Sequence, residues 1–271
     1  MTDPSSRPLA GVRVLVTRAG PRAEPLSQLL AAAGAEVVRL PTIEIRDPED
    51  WGPADAAIGR LGAYALFIFT SANAVERFLA RIDERGKGID ALAGGEVVAI
   101  GPATAKALRS RGVSVAAVPE EFRAEGALAE AQRLLARRPL AGPARVLLPR
   151  ALEGRDVLPE ALRAQGAEVD VVPVYRTVLP QGGAEQAREV LQRGVDLITF
   201  TSSSTVRNFA RLLGVEDLQG LVGAAAIGCI GPITAATARE AGLRVDLQPG
   251  ESTLEALVQV AEEFFGRRRG A

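Results

Sequence analysis

Short, β-branched apolar runs alternate along the chain with alanine- and leucine-rich stretches of helical period. Residues 12–17, 36–40, 65–70, 97–100 and 115–118 read as strands, and the pattern restarts at 145–149. Between them, 22–33, 53–61, 72–82, 103–111 and 125–137 read as helices, the first closed by Gly34. Strands that are apolar throughout and joined by helices imply parallel sheets covered on both faces, hence an α/β fold. Two segments strain the pattern: Gly34 to Ile45 and its near twin Gly166 to Thr177, each carrying a proline, Pro41 and Pro173. Proline has no N–H to give an interior strand. Each strand is therefore expected to end near its proline and resume as a second extended piece elsewhere. Tyr175 stands where the twin has Ile43. Strand alternation would turn it away from both Val174 and Arg176.

The restart is an internal repeat. Arg13-Val-Leu-Val-Thr-Arg-Ala19 matches Arg145-Val-Leu-Leu-Pro-Arg-Ala151, and Leu66-Phe-Ile-Phe-Thr-Ser71 matches Leu197-Ile-Thr-Phe-Thr-Ser202. Ala99-Ile-Gly-Pro-Ala-Thr-Ala105 matches Cys229-Ile-Gly-Pro-Ile-Thr-Ala235. Matched blocks in one order imply duplication into two similar lobes, and 271 residues suit two domains. Residues 138–143 read as a joint between the copies, and 267–271 as a frayed, solvated tail.

Composition narrows the chemistry. A net charge of −1 gives no global field for nucleic acid. Of the 32 basic residues only Lys87 and Lys106 are lysine, a bias that carries no function. With no histidine and a single cysteine, Cys229, an internal disulfide is ruled out and the usual metal ligands are scarce. Cys229, in an apolar strand, reads as an inert thiol suited to a reducing cytoplasm. The polar, proline-broken residues 1–8 do not resemble a signal peptide, and no run approaches the length of a membrane span. No cofactor or metal, no nucleic acid and no membrane partner is expected; the chain reads as a cytoplasmic monomer.

The polar positions that remain fall in the repeated loops. Ser71 and Ser202 follow buried strands and open helices, as do Gly101-Pro-Ala-Thr104 and Gly231-Pro-Ile-Thr234. In parallel α/β sheets such strand-to-helix loops share the ligand-binding edge, where free N–H groups and helix dipoles attract anions. The plain alternative is that Ser71, Ser202, Thr104 and Thr234 only cap helices. Two such edges facing each other would form a wide anion-binding cleft. Arg18, Arg22 and Arg150 follow strands and could meet carboxylates. Trp51 and Tyr64 read as packing residues, and Asp3, Asp47, Glu49 and Asp50 as solvated loop carboxylates.

Taken together, Thr17-Arg18, Phe69-Thr-Ser-Ala-Asn-Ala-Val75, Gly101-Pro-Ala-Thr-Ala105, Leu148-Pro-Arg-Ala151, Pro173-Val-Tyr-Arg-Thr177, Phe200-Thr-Ser202 and Gly231-Pro-Ile-Thr-Ala235 resemble the uroporphyrinogen-III synthases. The resemblance spans about residues 11–265. It departs where the second Phe-Thr-Ser continues Ser-Ser-Thr-Val rather than Ala-Asn-Ala-Val.

The resemblance implies two similar flavodoxin-like lobes, each a parallel sheet flanked by helices, joined by two extended linker strands. One lobe would comprise residues 1–40 and 178–271 and the other 46–172, with linkers at 41–45 and 173–177. Cutting the chain between its two repeats fits the residues equally well. The resemblance also implies closure of the linear tetrapyrrole hydroxymethylbilane to uroporphyrinogen III, with loss of water and inversion of ring D. Tyr175 would assist the leaving hydroxyl, modestly, since a phenol is a weak acid at neutral pH. Thr17, Arg18, Ser71, Ala72, Gly101, Thr104, Arg150, Ser202, Ser203, Gly231 and Thr234 would bind the polycarboxylate substrate. The rival reading is a bilobed protein that clamps an anionic small molecule without chemistry.

Overall fold

The computed structural model describes residues 7–121, 123–137 and 142–269, the side chains of Pro21 and Arg269 excepted. Asp3, residues 138–141 of the joint and the last two residues of the tail lie outside these. The chain divides into two compact units, residues 1–44 with 178–271, and 45–177.

In the first unit the sheet is parallel. β1 (Arg13–Val16) lies between β2 (Glu36–Arg39) and β8 (Leu197–Phe200), and β9 (Ala226–Cys229) flanks β8. β1, β8 and β9 have almost no polar side chains because both of their faces are covered. Leu15, Ile198 and Phe200 pack on α7 (Gly183–Gln192), α8 (Ser203–Leu213) and α10 (Pro232–Glu240). Val14 and Val16 pack on α1 (Glu24–Ala32) and α11 (Leu254–Arg269). The tail expected to fray from Arg267 is instead helical to Arg269, with the Arg268 guanidinium 4.8 Å from the Phe264 ring centre.

The second unit repeats the design. Its sheet runs β3 (Glu44–Arg46), β7 (Glu168–Val178), β6 (Arg145–Ala151), β4 (Leu66–Phe69), β5 (Glu96–Ala99), and the pairs β7–β6, β6–β4 and β4–β5 are parallel. Phe67 and Phe69 face α2 (Gly52–Gly59), α3 (Ala72–Glu84) and α4 (Pro102–Ser110). Leu66 and Ile68 face α5 (Ala124–Leu135) and α6 (Val157–Ala164).

Each sheet thus joins the first two strands of one repeat copy to the last two of the other. Both β2-β1-β8-β9 and β7-β6-β4-β5 follow the flavodoxin order 2-1-3-4. Their switch points lie between β1 and β8 and between β6 and β4.

Two expectations fail locally. The strand read at 115–118 is reduced to one parallel bridge, Val98 to Ala117, matched by Gly228 to Leu247 in the first unit. The Val97 carbonyl accepts from both Ala116 and Ala117, so no ladder propagates. At the twin prolines the copies diverge. β2 ends before Pro41, as expected, whereas β7 runs through Pro173 without a break. A bulge makes this possible: Arg150 pairs with Pro173 and Ala151 with Tyr175, leaving Val174 without an opposite residue. Bulges are among the few sheet positions that tolerate a missing donor. The extra residue also upsets alternation, so Val174 and Tyr175 both enter the same core cluster rather than opposite faces.

Candidate active site

In parallel sheets of this order, side chains at the carboxyl ends of strands gather at the switch point. In the first unit that edge begins with Thr17 and Arg18 after β1. Thr17 is fully buried, and its hydroxyl donates to the Thr199 carbonyl at 2.8 Å, so its side chain holds β1 to β8 rather than facing a ligand. Arg18 is half-buried and donates weakly to Thr201 Oγ1 at 3.4 Å. Among the described residues no carboxylate lies within ion-pair distance of it. Burial, and then the neighbouring Arg22 charge, pull its pKa below the ordinary arginine value. A guanidinium so placed retains its charge and gains from an incoming anion.

The α8 and α10 starts lie on the same edge. Ser202 caps α8 by accepting from Thr205 N at 3.3 Å, and Thr205 Oγ1 accepts from Ser202 N in return. Ser202 also bonds Ser204 at 2.9 Å. The Ser203 hydroxyl donates to the Ile233 carbonyl and accepts from Thr237, latching the two helix starts together. Gly231 caps α10 in extended backbone, and a Cβ there would fall 2.2 Å from Ser252 Oγ; the close approach, not a special torsion, requires glycine. Thr234 is the third helical residue and buried, so it is no cap.

In the second unit Ser71 caps α3, accepting from Ala74 N at 3.1 Å. Its oxygen also lies 3.1 Å from the Tyr175 hydroxyl, and either can donate. Two sequence-predicted residues 104 positions apart are thereby brought into contact. Ala72 opens α3, Gly101 caps α4, and Thr104, like its twin, is a buried third helical residue. The N–H groups of these first turns have no intrahelical acceptors.

Arg150 does not meet this expectation. It is 8% exposed, and its guanidinium is spent on the loop beyond β6: Nη1 donates to the Arg155 carbonyl and Nη2 to Asp156 Oδ1. Its Nε is buried without an acceptor, and a Cβ on Gly154 would lie 3.0 Å from it. The sequence reading missed Arg155, Asp156 and Ser252; Gly154, four residues after an arginine at a strand end, was the one available signal.

Other polar groups resolve into structure. Tyr64 is buried, donates to Asp170 at 2.6 Å and accepts from Arg60, and burial, then that bond to Asp170, raise its pKa to about 12. Trp51 lies under the Arg81 guanidinium. Asp47 and Glu49 pair with Arg77 and Arg176, and Asp50 accepts from Gly52 N, so none of the three is merely solvated. Burial pushes the Cys229 thiol up to about 12. Among the described residues no three of Cys, Asp and Glu gather as a metal would need. The surface hollows of 390 Å³ beside the amino end of β5 and 570 Å³ between α1 and α11 lie away from all these loops.

The family whose sequence model matches residues 24–259 is described as uroporphyrinogen-III synthase HemD. A uroporphyrinogen-III synthase of Synechococcus elongatus is 36% identical, covering 96% of this chain and 98% of its own. A putative uroporphyrinogen-III synthase of Methanothermobacter thermautotrophicus is 35% identical, covering 93% and 98%. In fold, the chain resembles a mutant uroporphyrinogen III synthase of Thermus thermophilus (TM-score 0.64, 21% identity, 95% and 99% covered). It also resembles the enzyme of Helicobacter pylori (TM-score 0.58, 20% identity, 93% and 99% covered).

Proposed function

The chain belongs to the uroporphyrinogen-III synthase family, and we propose that it closes hydroxymethylbilane to uroporphyrinogen III, releasing water and inverting ring D. The substrate loses its hydroxyl readily and closes unaided to the wrong isomer. The enzyme's task is then to fold the chain and hold ring D, which is work for positioned contacts. Helix-start N–H groups at Ala72, Gly101, Ser203 and Gly231, with Arg18, receive the substrate carboxylates in each unit.

The contact between Ser71 and Tyr175 carries the chemical reading. With Ser71 donating to the phenol oxygen, the phenol proton is free to meet the leaving hydroxyl. As the carbon–oxygen bond breaks, that proton completes the water, and the Ser71 hydroxyl and helix start stabilise the oxygen left behind. Ring D then closes through a spiro intermediate. No step calls for a metal or redox group.

A clamp without chemistry is not favoured, because the near-full-length relatives carry the synthase name. No helix of the described residues is long and apolar enough to cross a membrane; we place the protein in the cytoplasm, acting as a monomer. Incubation with fresh hydroxymethylbilane, followed by oxidation and isomer separation, tests the proposal. Uroporphyrinogen III should replace isomer I as the main product. Isomer I alone at high protein concentration would end it.

A further inference from the structure

Arg150 is too fully bonded within its own loop to act as a ligand and too elaborately held to be filler. Both Nη groups are bonded within its own loop, Nε is sealed, and only 8% of the residue is exposed. The loop it grips, residues 151–156, is tied at its other end to the strand that carries Tyr175. Leu152 N donates to the Tyr175 carbonyl at 2.8 Å, and Thr177 N donates to the Glu153 carboxylate at 3.3 Å. Gly154 N closes the turn on the Ala151 carbonyl. Ala151 is also the residue at which the β6–β7 register shifts, facing Tyr175. The loop that the arginine fork closes therefore reaches Tyr175 at two points, through the Leu152 N bond to its carbonyl and through Ala151, which stands opposite it at the register shift.

We propose that Arg150 is a positioning residue for Tyr175: by clasping the loop after β6 it fixes the bulge and so holds the phenol against Ser71. This rests on the proposed role of Tyr175. The bulge leaves β7 an extra residue that could be taken up in more than one register, and weak register specification invites slippage. The clasp removes that freedom. Glycine at 154 belongs to the same device, since a Cβ there would lie 2.7 Å from Arg150 Cδ. Lysine cannot replace arginine here, because a single ammonium has no planar fork to reach Arg155 and Asp156 together.

The test is a double-mutant cycle between the clasp and the phenol. Arg150→Lys and, from the opposite side, Gly154→Ala are each expected to lower kcat about tenfold while KM for hydroxymethylbilane stays within about twofold. In a Tyr175→Phe background the same substitutions should change kcat less than twofold, since no hydroxyl remains to misplace. Cycles are read only on variants whose circular dichroism matches the parent, and Gly154→Ala supplies the result should Arg150→Lys fail to fold. Additive losses in both backgrounds would overturn the positioning role and leave the Tyr175 reading intact. A rise in KM at constant kcat would make Arg150 a substrate contact, also overturning it. Full activity in Tyr175→Phe would overturn both.

Discussion

Arg18 and Arg150 hold the same place in the two copies of the repeat, at the carboxyl ends of equivalent strands, yet their surroundings are opposite. Arg18 is half-buried with one weak hydroxyl contact and, among the described residues, no carboxylate. Arg150 is wrapped by its own loop and bonded to Arg155 and Asp156. The difference lies in the loops that leave the two strands. Arg18 leads through Gly20 into a short 3-10 turn, and no loop carboxylate returns to it. After Arg150, Gly154 gives the chain room to fold back so that Asp156 arrives beside the guanidinium. Duplication supplied two arginines at two switch points; divergence of a few loop residues leaves one open to an anion and makes the other a structural clasp. Within the first unit the repeat copy keeps an arginine without a carboxylate partner; within the second, the same edge carries the hydroxyl contact of Ser71 with Tyr175.

Substitutions on the two edges put that division to the test. The largest effect on rate is expected from Tyr175→Phe, which removes the proton donor but keeps the ring in its buried site. Turnover should fall between about tenfold and a few hundredfold, with thermal melting nearly unchanged. A variant that melts early would show that the hydroxyl is structural. Next, Arg18→Gln should raise KM about tenfold and leave kcat within about twofold, since it removes one charge-assisted contact. The matching Arg150→Gln should instead lower kcat about tenfold with KM within about twofold, and lower stability by about 2 kcal/mol through lost packing and loop bonds. If the two arginines respond alike, the division fails. Ser71→Ala should cost only a few-fold in kcat, because the start of α3 still stabilises the phenol oxygen, and about 1 kcal/mol for the lost cap. Exhaustive chelation should change nothing; a large reversible loss would reveal a metal the residues give no place for.

Much of the fold was legible in the sequence, for identifiable reasons. β1, β4, β8 and β9 announce themselves as apolar runs because they are covered on both faces. The repeated hydroxyl and glycine loops mark the carboxyl edges because helix starts select those residues. The chain did not disclose the continuity of β7. Proline argues against an interior strand, and only the pairing of Pro173 with Arg150 across a bulge makes it acceptable. The bulge in turn defeated the alternation argument for Tyr175, which shares its core face with Val174. Nor could spacing separate Arg18 from Arg150, since their difference depends on a loop carboxylate folding back in three dimensions. Thr17 was misread for a similar cause: its hydroxyl is committed to the Thr199 carbonyl, 182 residues away.

On the proposed mechanism, binding spread over many loops dictates which isomer forms, while Tyr175 only hastens the loss of water. The most direct measurement is the isomer composition produced by Tyr175→Phe at saturating enzyme in a single turnover. The expected product is uroporphyrinogen III, formed slowly. Isomer I as the main product would mean that Tyr175 steers ring D itself, and isomer III at the full rate would mean that it takes no part in the chemistry.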